Sequence, residues 1–173
     1  MKELIKKEVE KLFLAVWSPW GEEKESDIDI SFGFIFKSEP NTLCIVSVDK
    51  DELWSPHISF EALPESNYFW DDFYPRIKMY MRAEDGDLMI GKEYYDVTKS
   101  KIFNKIVGNE IEGIEFINFE GNPDPFGVKF LFKDDFIISL PNSGGNTVET
   151  QFFNSNNSID NFKRLGNLIF TKV

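Results

Sequence analysis

Apart from its acids, this chain of 173 residues holds few side chains able to do chemistry. His57 is the only histidine, in "WSPHISF", and Cys44 the only cysteine, in "TLCIVSV". Histidine is the commonest general acid–base group, and a Cys–His pair can make a nucleophile. Cys44 lies in an apolar, strand-like run, which predicts a buried small hydrophobe rather than a reactive thiol. His57, between Pro56 and Ile58, reads as structural or exposed. One cysteine excludes an internal disulfide, and one Cys with one His falls short of a zinc ligand set. "DKDELWSPHISFE" starts like a calcium loop at Asp49 and Asp51. Leu53 and Trp54 then stand where an oxygen ligand and a glycine belong, and Phe60 where the closing Glu belongs. "EDGD" at 84–87 is explained by a turn. No Gly-x-Ser-x-Gly elbow and no phosphate-cradling loop is present. The expectation is no cofactor, no metal and no catalytic set.

The acids are a different matter. Thirty Asp and Glu stand against 19 Lys and Arg, for a net charge of -11. Paired carboxylates can hydrolyse glycosides. At this abundance, neighbours such as Asp71–Asp72 and Asp134–Asp135 arise without a catalytic reason, and adjacent residues on a strand face opposite ways. A carboxylate-dependent enzyme on a small or sugar-like substrate is one alternative, and a structural or adaptor domain is another. The charge disfavours nucleic acid and anionic membrane as partners and favours a basic protein.

The acids concentrate with aromatics. Between Asp49 and Asp72 lie seven acids against Lys50 alone, together with Trp54, Tyr68 and Trp70. Tyr and Trp anchor interfaces at low entropic cost, and acids around them steer a basic partner. The candidate partner-binding residues are Asp51, Glu52, Trp54, Glu65, Tyr68, Trp70, Asp71, Asp72 and Tyr74. Within "SNYFWDDFYP", Phe69 and Phe73 are expected to fold inward, with Asp71, Asp72 and Tyr74 at the surface. A second acidic run, from Glu110 to Asp124, contains Glu112, Glu115 and Glu120 and no Lys or Arg. It is the other candidate face. The stretch 155–173 is slightly basic.

Several elements have to position these residues. Ile5, Val9, Leu12, Phe13 and Val16 recur at helical spacing, which predicts an amphipathic helix over 2–17, stopped by "SPWG". "DISFGFIFK" alternates and "TLCIVSV" returns, a hairpin. Residues 49–75, with Pro56, Pro64 and Pro75, read as mostly loop, with a short helix near 60–74. "RIKMYMRAEDGDLMIGKEYYDVT" reads as a second hairpin turning at Asp85–Gly86. "SKIFNKIVGNEI" reads as a short helix. "GIEFINFEG", "FGVKFLFK" and "FIISLPN" read as three strands, with "TVETQFFN" a fourth. "SIDNFKRLGN" suggests a short helix capped by Ser158, and "LIFTKV" a last strand. The fold class expected is α+β: a single domain over 1–173, mainly antiparallel sheet built from hairpins, with the N-terminal amphipathic helix and one or two short helices.

No stretch approaches the length of a membrane span, and no signal-like apolar region follows "MKELIKKEVEKLF". The expected location is the cytoplasm. The strands "GIEFINFEG" and "FGVKFLFKDDFIISLPN", with their short acidic turn, are similar to the β-meanders of bacterial immunity proteins, including those of contact-dependent growth inhibition. The resemblance spans residues 110–153 and carries over no site residue. It implies a neutraliser that binds a cognate toxin domain, often a basic nuclease, and covers its active site or substrate groove.

Overall fold

The computed structural model describes residues 1–19, 28–48, 54–82, 91–143, 145–155 and 158–173. Its described elements are strands β1 (Val9–Trp17), β2 (Ile30–Phe36), β3 (Glu39–Ser47), β4 (His57–Ala62) and β5 (Tyr68–Phe69), then helix α1 (Trp70–Met81). There follow β6 (Lys92–Asp96), β7 (Gly113–Phe119), β8 (Gly127–Leu131), β9 (Phe136–Asn142) and β10 (Gly145–Thr150), then helix α2 (Ser158–Lys163) and β11 (Leu168–Lys172). The class is therefore mostly β, not α+β. The strands form two sheets, in the orders β4-β3-β2-β1-β6-β5 and β10-β9-β8-β7-β11. Neighbouring strands run antiparallel except β5 and β6.

The expected N-terminal helix does not form. Lys2–Leu4 make one 3-10 turn, Lys6 takes a positive φ of 73°, and the chain enters β1. The run "KLFLAVW" is apolar on both sides because β1 lies inside its sheet and is covered on both faces. Leu12, Leu14 and Val16 join the main core, while Phe13 and Ala15 join a second cluster on the opposite face. A strand buried twice loses its alternation, and helical spacing then appears by accident. The second expected hairpin is also replaced: residues 70–81 are helical, β6 follows, and the Asp85–Gly86 turn lies outside the described residues. "SKIFNKIV" provides only a 3-10 turn at Lys101–Phe103.

The two sheets pack face to face around phenylalanines. Phe32 and Phe34 of β2 meet Phe130 of β8 edge-on, with ring centroids 5.6 and 5.5 Å apart. Helix α1 adds Phe73 and Ile77 to this core, and α2 lies with Ile159 and Phe162 against the far face of the second sheet.

The first sheet curls. Glu61 of β4 accepts hydrogen bonds from Tyr94 (2.8 Å) and Lys92 (3.1 Å) of β6. In a flat sheet those strands would stand about 19 Å apart, four spacings of about 4.8 Å. Long side chains cover only part of that span, so β4 bends toward β6 over Phe13, Ile35, Leu43 and Ile45. Gly33 sits under this cluster, where a Cβ would lie 2.8 Å from Leu43 Cδ1.

Candidate functional site

The candidate site gathers around the first turns of α1. Asp72 Oδ2 accepts from Phe69 N at 3.1 Å, closing the helix start, and Asp71 and Asp72 both complement the positive helix N-terminus. Phe73, Ile77 and Tyr80, spaced three and four apart, form the buried stripe. Trp70 is half-buried: its ring stacks on Phe73 at 5.3 Å and meets Phe103 and Phe153 edge-on. Phe73 is buried as expected, but Phe69 is 62% exposed, a correction to its expected inward position. Phe69 is the last residue before the helix, in extended conformation, and the stripe begins only after it. Asp71, Asp72 and Tyr74 are exposed.

Phe69, Trp70 and Asp71 wall one side of a cleft of about 280 Å³, closed by Asp96, Lys99 and Ser100. Two rings, two carboxylates and the one ammonium of Lys99 thus line a slot of side-chain size. A guanidinium or ammonium group fits that chemistry, through ring faces and ion pairing.

Behind Tyr68 lies a second cavity of about 420 Å³, bordered by Glu65, Tyr68, Arg76, Tyr80, Lys92 and Glu93 among others. Its centre is Glu93, which accepts from Arg76 Nη2 (2.5 Å), Arg76 Nε (3.3 Å), Tyr80 Oη (2.6 Å) and Tyr95 Oη (2.5 Å). The Arg76 guanidinium also lies 3.8 Å above the Tyr68 ring. Burial by itself would raise the Glu93 carboxyl, but the hydrogen bonds from Arg76, Tyr80 and Tyr95 outweigh it and hold the group below its ordinary value. Glu61 behaves alike: burial pushes up, while Tyr94 and Lys92 win and pull its carboxyl down. Both are ionised acceptors at neutral pH, the reverse of what a carboxylic general acid requires. The cavity's own Arg76 and Lys92 already occupy these carboxylates.

The remaining candidates disperse. Trp54, at a positive φ of 48°, borders a separate hollow with Pro141, Asn142 and Phe162. Glu65 is exposed and belongs to the cavity behind Tyr68, not to the cleft. Asp51 and Glu52 lie outside the described residues, as does "EDGD". The second acidic run is no single face. Glu110 bridges toward Glu8 before β7, whereas Glu120 follows its far end and accepts from the Asn167 side chain. Seven strand residues separate them by more than about 20 Å. Glu115 is flanked in register by Lys129 and Lys172.

Nor do Cys44 and His57 come together, since they lie three positions apart along the β3–β4 ladder. Cys44 points into the main core, where burial pushes its thiol up to about 12. His57, opposite Ser47 on β3, lies 3.0 Å through Nδ1 from the Ser47 hydroxyl. Among the described residues no cluster of three His, Cys, Asp or Glu side chains is arranged to hold a metal ion. No described helix is long and apolar enough to cross a membrane.

Asp96, Arg76, Glu93 and Tyr95 were not legible as site residues in the sequence. "KEYYD" carries no motif, and only the β5–β6 pairing brings Asp96 beside Phe69. Compared with known proteins, the chain matches no family model, no curated relative and no solved structure.

Proposed function

We propose that this chain is an acidic protein-binding module that captures a basic protein partner, and that it neutralises a cognate toxin domain by covering its active site. The resemblance of residues 110–153 to immunity-protein meanders supplies the toxin reading. The observation that carries the binding reading is the cleft of Phe69, Trp70, Asp71 and Asp96, beside exposed Tyr74. Exposed aromatics next to two carboxylates that outnumber the cleft's one cation, Lys99, favour an arginine or lysine inserted from a basic surface. The net charge of -11 would hasten that encounter at low salt.

The test is capture of partners from the native cell extract on the tagged full chain, at low and moderate salt. A single basic protein should be retained, more weakly as salt rises. Asp71→Lys and Phe69→Ala should each weaken that complex about tenfold or more, while circular dichroism stays that of the wild type. Retention unchanged in both variants removes the cleft from the interface. Retention of no basic protein sinks the binding reading.

A further inference from the structure

Strand β11 (Leu168–Lys172) ends the second sheet and, among the described strands, pairs only with β7. Glu120 N donates to Asn167 O, and Val173 N to Ile114 O. Those bonds fix the phase of the ladder: residues 167, 169, 171 and 173 turn their main-chain groups toward β7. The N–H and C=O groups of Leu168, Phe170 and Lys172 therefore face outward, and no described residue caps them. Ile169, Phe170, Thr171 and Lys172 are all exposed. Open edges are normally blunted by proline, a bulge or a charge; β11 has no proline and no bulge, and its one charged residue, Lys172, stands at its end. The other long edges differ. β10 is buried throughout, and β4 is tied to β6 through Glu61.

We propose that β11 pairs with β11 of a second copy of this chain, antiparallel about a two-fold axis through Phe170. The register follows from which groups are free. Phe170 pairs with its own copy, and Leu168 with Lys172 of the other chain, so every outward group finds a partner in about six hydrogen bonds. Side chains agree with this register. Two Phe170 rings meet at the axis, Ile169 falls opposite Thr171, and no lysine faces a lysine.

Charge selects the occupant. The stretch 155–173 carries Lys163, Arg164 and Lys172 against Asp160 alone, inside a chain of net charge -11. A basic partner, the kind proposed for the cleft, is not drawn there. Within β11 the one charge, Lys172, is balanced in register by Glu115 of β7, so two such edges of an acidic chain meet with almost no net charge between them. Long-range repulsion between two copies remains, and salt screens it. Dimerisation should therefore strengthen as salt rises, the opposite of the cleft complex.

Sedimentation equilibrium of the full chain, at low and moderate salt, decides the matter. Five residues per strand make a small interface, so the expected dissociation constant is about 10–100 µM. Phe170→Lys sets two ammonium groups against each other at the axis, and Phe170→Pro removes the central outward donor while leaving the bonds to β7 intact. Both variants should keep the wild-type circular dichroism spectrum and sediment as monomers. A wild-type chain that is monomeric at about 1 mM overturns the pairing. So does a dimer that persists in Phe170→Pro, because it would not be using the strand edge.

Discussion

Glu93 is useful to the fold only while it is ionised. Its side chain is 13% exposed, yet it accepts from one guanidinium and two phenols, which neutralise and solvate it in place of water. Glu93→Gln keeps the shape but loses the charge and turns part of an acceptor into a donor. The expected loss is about 2–3 kcal/mol at pH 7, read by urea unfolding. The pH dependence has a definite sign. The folded-state carboxyl lies below its ordinary 4.5, so its contribution is present above that pH and lost as pH falls through the lowered value. The gap between wild type and variant should therefore shrink markedly at pH 3. A gap unchanged with pH would mean that packing, not charge, is what Glu93 supplies. Ser139 is the opposite case. It is fully buried between Val128 and Val148, and its hydroxyl has no hydrogen-bond partner among the described residues. Ser139→Ala should leave stability unchanged or raise it by up to about 1 kcal/mol, in the same unfolding assay.

Elements whose pairing is local were legible in the sequence, and elements set by distant packing were not. Alternating Ile30, Phe32, Phe34 and Phe36 announced β2, whose second face carries the small Ser31 and Gly33 before Ile35, and the meander from β7 to β9 reads off its turns, because each strand has a neighbour close in sequence. β1 has two buried faces and so gave the helical signal described above. Helix α1 failed for the opposite reason. Pro75 sits at its sixth residue, where it cannot donate to Asp71 O and its ring crowds that carbonyl. The helix survives because Phe73, Ile77 and Tyr80 are anchored in the core and Arg76 reaches Glu93. Tertiary packing thus outweighs a local cost. Pro75→Ala should recover the missing bond and raise stability by about 1–2 kcal/mol, seen as a melting temperature higher by a few degrees. A lower melting temperature would show that proline's restriction of the unfolded chain counts for more here. The site divides the same way: Trp70, Asp71 and Tyr74 were found because they are neighbours, and Asp96 was missed because a sheet pairing delivers it.

At the scale of the whole molecule, the question is what holds two sheets in one register. Phenylalanine packing is strong but undirected, since a core of similar rings tolerates sliding. Direction comes from a polar clasp at one end. Asp29, just before β2, accepts at Oδ1 from Asn146 N and Asn146 Nδ2, both at 3.0 Å, across 117 positions of sequence. The Asn146 side chain in turn accepts from Val48 N, just after β3, at 2.6 Å. One asparagine therefore ties both ends of the β2–β3 hairpin to β10. Gly145 makes room for it: its φ is 138°, and a Cβ there would lie 2.6 Å from Asp29 Cγ. Because Asp29 and Asn146 act through the same bonds, losing either should forfeit most of what losing both does. Asp29→Ala and Asn146→Ala are each expected to cost about 2–3 kcal/mol, and the double variant well under their sum, a coupling of about 1–2 kcal/mol in a double-mutant cycle. Strict additivity would mean that each side chain serves only its own sheet. The sheets would then be aligned by ring packing alone, and the bonds across 117 positions would be a consequence of the alignment rather than its cause.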